Sequence, residues 1–282
     1  MRNIKSDTKE AVKVLHITDV SLAQKWAETL DIGTRNELYH LLLRVVDNAE
    51  TQNAVNETIH IADARETAQI ARCADGIRVI GLDTLISQDY AAVFSRLLSK
   101  SPNAELCPGN EFGCAAALAV EFVQSGGRRI AVSFMGLGGF APTEEVLLAL
   151  RVTIGYKPGL DLSVLAEISA AYERAGAGKA GERKPVIGRK IFNVESGIHV
   201  NGILKNAANY EPFSPETVGL RRRICLGKHS GRSAVVYKLK TLGKSADAES
   251  IGRLLQEVQA QSARLSRGIT DTEFEGIVER IL

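Results

Sequence analysis

No apolar run in this chain of 282 residues approaches the ~20 positions a helix needs to cross a bilayer, so no transmembrane span is predicted. The opening stretch MRNIKSDTKEAV lacks the apolar core of a signal peptide. Both absences predict a soluble, cytoplasmic protein. Cysteine is scarce, and Cys73, Cys107, Cys114 and Cys225 show no paired spacing, which argues against a disulfide frame or a zinc site and for reduced thiols. Charge of one sign is missing too: 35 Lys and Arg against 33 Asp and Glu leave a net +2, too little for a nucleic-acid footprint. There is no internal repeat. What the chain does hold is 45% hydrophobic residues, enough to fill one large domain or a domain with a smaller companion.

From Val12 to Leu150 short β-branched runs alternate with helical patterns. VKVLHITDV, ETIHIADA, GIRVIGLD, AELCP and RRIAVSFMG read as strands. NELYHLLLRVVDNA, YAAVFSRLLSK and GCAAALAVEFVQSGG carry helical spacing. Such alternation implies parallel strands with crossover helices, an α/β fold. Helices near Asp161–Ala175 and after Ser230 lead into a mainly α-helical C-terminal part. The small, charged stretch AGAGKAGERKP reads as the boundary, giving an N-terminal domain over 1–176 and a C-terminal region over 177–282.

The polar chemistry concentrates between Gly188 and Arg232. In ESGIHVNG, His199 lies between two glycines, a setting that suits a sharp turn more than a packed helix face. Tyr210 follows before EPFSP, where Pro212 and Pro215 stop regular structure. An imidazole and a phenol can share proton transfer on an oxygen-rich substrate, or each can be satisfied by nearby backbone. LGKHSGR then sets Lys228, His229 and Arg232 beside Gly227 and Gly231, with Ser230 placed to start a helix. Those basic groups suit an anion or a plain helix entry.

Together these stretches resemble one known family. The runs ESGIHVNG, LKNAANYEPF and LGKHSGR are closely similar to the ESGIHxDG, LKNPxTYEPF and LGKHSGR of homocitrate synthases and 2-isopropylmalate synthases. The likeness covers about forty-five residues, far more than a short motif. It implies a (β/α)8 TIM-type barrel that condenses acetyl-CoA, as co-substrate, with a 2-oxo acid at a divalent metal, Mg²⁺ or Mn²⁺. It also implies that His199 and Tyr210 belong to an arm reaching over the neighbouring subunit's barrel to assist acid–base steps.

The barrel half departs from that family at each strand end. DVSLAQ resembles DTTLRDGEQ, with Asp19 at a metal-ligand position, or as a helix N-cap, and Ala23 where the family has its catalytic Arg. IRVIGLDTL resembles FRFADTVG and keeps Arg78, but has Gly81 for the Asp. ELCPGNEFG aligns with a His-x-His metal site, and Cys107 and Gly109 occupy the histidine positions. GLGGFAPTEEVLLAL resembles a further ligand segment without its Asn. Asp19 alone would remain, and one carboxylate does not hold a catalytic divalent ion.

Length argues the same way. About ninety residues separate Asp19 from Gly109, whereas each βα unit needs ~30 residues and a full barrel ~250, so the barrel is expected to be abridged. A stripped barrel with an intact arm implies division of labour. Within the family this resembles the α-type subunit of split homocitrate synthases of nitrogen fixation. Its partner would be an ω-type subunit with the complete barrel and the metal, the two forming a heterodimer or larger hetero-oligomer that makes homocitrate from acetyl-CoA and 2-oxoglutarate. A non-catalytic regulatory or scaffolding homologue, or a subunit of a split isopropylmalate or citramalate synthase, are the alternatives. ESIGRLLQEVQAQSARLSRGITDTEFEGIVERIL reads as two amphipathic closing helices, with no leucine-binding regulatory domain expected after them.

Overall fold

The computed structural model describes residues 15–52, 58–61, 76–82, 89–157 and 159–282. Cys73 and the strand ends expected at 12–14, 57, 62–64 and 83 lie outside these. The chain divides into two compact units, Met1–Gly188 and Arg189–Leu282.

In the first unit six short strands form one parallel sheet: β1 (His16–Asp19), β2 (Asn48–Ala49), β3 (Thr58–Ile61), β4 (Arg78–Gly81), β5 (Glu105–Pro108) and β6 (Arg129–Val132). Their spatial order is β2-β1-β6-β5-β4-β3. Apart from β2 and β3, every pair of sequence neighbours is a spatial pair, and the first strand closes on the last through His16↔Arg129 to Asp19↔Val132. That is the order of a barrel rather than of an open doubly wound sheet. A side-chain contact confirms the curl. In a flat sheet Glu50, just beyond β2, and Arg78 in β4 would stand four strand spacings apart, roughly 19 Å. Instead the Arg78 guanidinium donates both Nη groups to Glu50, at 2.9 and 2.8 Å. The fold is an abridged TIM-type barrel, with six strands among the described residues where the full form has eight.

Apolar residues explain why these strands bury. Ile17, Val79, Leu106, Ile130 and Val132 are fully enclosed, and the crossover helices cover them. These are α1 (Ile32–Leu42), α2 (Tyr90–Lys100), α3 (Ala115–Gln124), α4 (Thr143–Thr153) and α5 (Leu165–Arg174). Asp31 and Asp89 cap α1 and α2 through the amides of Thr34 and Ala92. Phe122 of α3 meets Phe94 of α2 edge to face at 5.3 Å, and Gly127 leaves room for that ring.

Two boundaries differ from the sequence reading. NELYHLLLRVVDNA is not one helix: α1 stops at Leu42, and Asn48–Ala49 is the strand β2. No glycine or proline marks that stop. Tertiary pairing does, because Asp47 accepts the Ile17 amide on its carboxylate at 2.8 Å and donates its own amide to the Ile17 carbonyl at 3.0 Å. RRIAVSFMG likewise ends as a strand at Val132, and the chain then turns through Met135, Gly136, Gly138 and Gly139, all at positive φ.

The second unit has a two-stranded parallel pair, β7 (Asn193–Val194) and β8 (Arg223–Ile224), and four helices. These are α6 (Gly197–Lys205), α7 (Arg232–Thr241), α8 (Ala248–Leu265) and α9 (Asp271–Ile281). Val200, Leu226, Val235, Leu254, Val258, Phe274 and Ile277 form its core. The two closing helices expected from the sequence are α8 and α9. Thr270 and Glu273 make a reciprocal capping box, and hydrogen bonds from Arg267 first, then from Thr270, hold the Glu273 carboxyl down at about 2. No described helix is long and apolar enough to cross a membrane.

Candidate functional site

In the second unit the structure brings His199 and Tyr210 together, though not in the loop expected. His199 stands on α6, exposed. The glycines around it serve close packing rather than turning, since neither Gly197 nor Gly202 has a positive φ. A Cβ on Gly202 would overlap the Tyr210 ring and its hydroxyl, so the phenol lies close against the helix. The His199 and Tyr210 ring centroids are 5.6 Å apart at a 58° tilt. Tyr210 is held at the end of a short turn, Ala207–Asn209, its amide bonded to the Ala207 carbonyl. It remains 44% exposed.

Beneath the two rings lies a pocket of about 370 Å³, walled by Phe192, Ile203 and Phe213 and edged by Asn193, Glu195 and Glu211. Glu211 is not free to act as a base. Arg222 grips it with two parallel hydrogen bonds of 2.6 and 2.5 Å, a fork that fixes the chain just after Tyr210. Glu195 instead accepts the His229 amide at 3.0 Å. Neither residue stood out in the sequence; the signal was only their placement at the edges of the ESG and YEPF runs. Lys228, His229 and Arg232 are exposed. Ser230 does not cap α7: Gly231 does, because the Ser230 hydroxyl is taken by the Gly227 amide at 2.9 Å.

The barrel unit offers different chemistry at its ligand positions. Asp19 is 0% exposed, and Ser21 donates both its amide and its hydroxyl to one carboxylate oxygen while Thr143 donates to the other. Burial raises its pKa, against those hydrogen bonds. This carboxyl folds back on the turn after β1 and on the start of α4. Cys107 points into the core, and burial first pushes its thiol up to about 12. Gly109 brings no side chain. Among the described residues no group of three His, Cys, Asp or Glu side chains could hold a metal ion. The described donors at these positions do not fit a divalent cation.

Arg78, kept from the family pattern, serves the barrel interior. Its Nε donates to Glu105 at 2.6 Å while its two Nη groups hold Glu50, and the three residues are 6%, 4% and 8% exposed. Burial opposes the arginine's charge, but the hydrogen bond with Glu50 and the charges of both carboxylates outweigh it and raise its pKa. At the start of α4 a second buried carboxylate, Glu144, faces Lys184 at 3.1 Å and accepts the Met135 amide at 3.0 Å. Burial raises its pKa, Lys184 lowering it in part.

Comparison with known proteins finds matches that include this pair. A domain described as Homocitrate synthase post-HMGL domain-like matches residues 186–265, which include His199, Tyr210 and LGKHSGR. A protein named probable 2-isopropylmalate synthase, from Ignicoccus hospitalis, is 35% identical over 206 residues. By these matches the chain is similar to the homocitrate synthases and 2-isopropylmalate synthases. That Ignicoccus relative is matched over 72% of this chain and 51% of its own length. Homocitrate synthase AksA of Methanocaldococcus jannaschii is 38% identical over 176 residues, 61% of this chain and 43% of that protein. The omega subunit of homocitrate synthase from Clostridium pasteurianum is 33% identical over 170 residues, 60% of this chain and 48% of the subunit. The chain thus spans about half the length of the curated relatives it matches. A solved HMG-CoA lyase shares 16% identity at a TM-score of 0.37, too distant to carry an argument.

Proposed function

We propose that this chain is one subunit of a split acetyl-CoA-condensing synthase, most simply a homocitrate synthase, and that it supplies His199 and Tyr210 to a metal site in a partner's barrel. The observation that carries this reading is a contrast within one chain. The pair on the second unit stands exposed above a pocket, while the first unit's ligand positions are filled by Asp19 in a hydrogen-bonded knot, a buried Cys107 and Gly109. Exposed Ile198, at 78%, and Leu204 on the same helix suit an arm that is covered by another subunit.

In such a complex the divalent ion, Mg²⁺ or Mn²⁺, would sit in the partner and supply Lewis-acid chemistry there. The contribution of this chain is proton handling. The His199 imidazole can take or return a proton, and the Tyr210 hydroxyl can donate to an oxygen that gains charge. The rings lie close enough to address neighbouring atoms of one substrate. An ω-type subunit is the partner of choice, with acetyl-CoA as co-substrate and 2-oxoglutarate as acceptor. Relatives named for isopropylmalate and citramalate synthesis make the 2-oxo acids that give those products the second reading.

The test is release of CoA from acetyl-CoA by this chain alone, by the partner alone and by the mixture, with each oxo acid in turn. Turnover only in the mixture is expected. His199→Ala should lower that turnover roughly 10²–10⁴-fold with assembly intact; full turnover by the variant would sink the acid–base role.

A further inference from the structure

The two motifs of the second unit, ESGIH and GKHSGR, meet at the backbone of one residue. His229 donates its amide to Glu195 Oε1 at 3.0 Å, and its carbonyl accepts the Gly197 amide at 3.2 Å. Both polar backbone groups of residue 229 are therefore used by the ESG segment. The Gly197 amide is one of the first donors of α6, which have no partner inside the helix. The clasp satisfies it and fixes where α6 begins, two residues before His199.

Three glycines report the same closeness. A Cβ on Gly231 would stand 2.9 Å from the Gly197 Cα, one on Gly197 would stand 2.7 Å from the Gly231 Cα, and one on Gly227 would run into the Glu195 carboxylate. None of the three has a positive φ, so conformation does not demand glycine at these positions. Space does. The side chain of His229 takes no part in these contacts.

We propose that Glu195 and Gly231 are positioning residues for His199, acting through the backbone of residue 229. The inference rests on the acid–base role proposed for His199. A displacement of ~1 Å in a reacting group can cost up to about 10²-fold in rate, so a slack clasp would show in turnover before it showed in folding.

Three variants separate the possibilities. Glu195→Ala removes the acceptor; Glu195→Gln keeps an oxygen that can accept the same amide without the charge; Gly231→Ala forces the two segments apart. In the full chain, the His199 ring signal in histidine-labelled NMR spectra is expected to move in Glu195→Ala and Gly231→Ala and to stay in place in Glu195→Gln. Core methyl signals of Val258 and Ile277 should stay unchanged in all three. In the assembled complex Glu195→Ala should lower kcat about 10-fold or more at an unchanged KM, with Glu195→Gln near the parent. Combined with His199→Ala, Glu195→Ala should add no further loss. An unmoved His199 signal, a Glu195→Gln variant as impaired as Glu195→Ala, or a full additional loss in the double variant would each overturn the proposal. If His199→Ala alone keeps full turnover, the functional reading fails, and the His199 signal still decides the clasp.

Discussion

Replacing Arg78 by Met would test whether the barrel interior is held by the ion triad. The guanidinium sits between Glu50 and Glu105 with four contacts of 2.5 to 2.9 Å, all three groups less than a tenth exposed. Methionine fills the stem's volume but leaves two carboxylates in the interior with no cation. Removing one partner of a buried pair costs about 3–5 kcal/mol. At about 1.4 kcal/mol per decade that is roughly two to three and a half decades in the folding constant. For a unit of this size each kcal/mol moves Tm by about 2–4 °C, so a fall of about 6–20 °C is expected by calorimetry. The triple variant Arg78→Met, Glu50→Leu, Glu105→Leu removes all three charges and should recover most of that loss, since an apolar replacement of a buried ionic group is often neutral or better. An Arg78→Met chain within ~1 kcal/mol of the parent would refute the reasoning and show that water or another cation reaches those carboxylates.

Other variants probe the remaining contacts. Gly202→Ala places a Cβ inside the Tyr210 ring, so the tyrosine must swing off α6; overpacking of about 1–3 kcal/mol, seen in denaturant unfolding, and a loss of complex turnover should come together. Lys184→Met leaves the enclosed Glu144 carboxylate facing no cation and should cost about 1–3 kcal/mol by the same measurement. Asp19→Asn addresses pH. Burial sets the Asp19 pKa above its ordinary 3.8, so the folded chain takes up that proton before the unfolded chain does. Parent stability is therefore gained as pH falls through the folded value toward 3.8, and asparagine has no such gain. The stability difference, parent minus variant, should grow on acidification; a difference flat from pH 7 to about pH 4 would show that Asp19 titrates normally.

How far the sequence speaks depends on whether a residue's neighbours are close in the chain. The strands around Ile17, Val79, Leu106 and Ile130 are legible because apolar, β-branched runs stand between helical patterns. β2 is not, because Asn48–Ala49 is a strand only through its neighbour β1 and the Asp47 clamp on Ile17. The glycines flanking His199 mislead for a related reason. Local chemistry makes glycine a turn residue, whereas Gly202 is small to admit Tyr210 and Gly197 to admit Gly231. Long-range contact, invisible along the chain, decides what each glycine is for. The pairing of His199 with Tyr210 was legible only through the resemblance of ESGIHVNG and LKNAANYEPF to a family; eleven residues of separation alone do not place two rings 5.6 Å apart.

The same contrast bears on how the two units came to differ. In the barrel, the residues at and near the family's ligand positions make contacts that hold the fold without a metal. Asp19 ties the turn after β1 to Thr143 of α4, Cys107 packs against Val20 and Ala131, and Arg78 joins strands on either side of the open seam. In the second unit the contacts run the other way. Arg222 holds Glu211, the Gly202 surface seats Tyr210, and the residue-229 backbone fixes the start of α6, while His199 and Tyr210 themselves stay exposed. A chain kept only as a scaffold has no physical need for exposed rings on so constrained a base. Under the split-enzyme reading both sets of contacts have one cause, since the barrel must only fold and the arm must also hold two side chains in register for chemistry on another subunit.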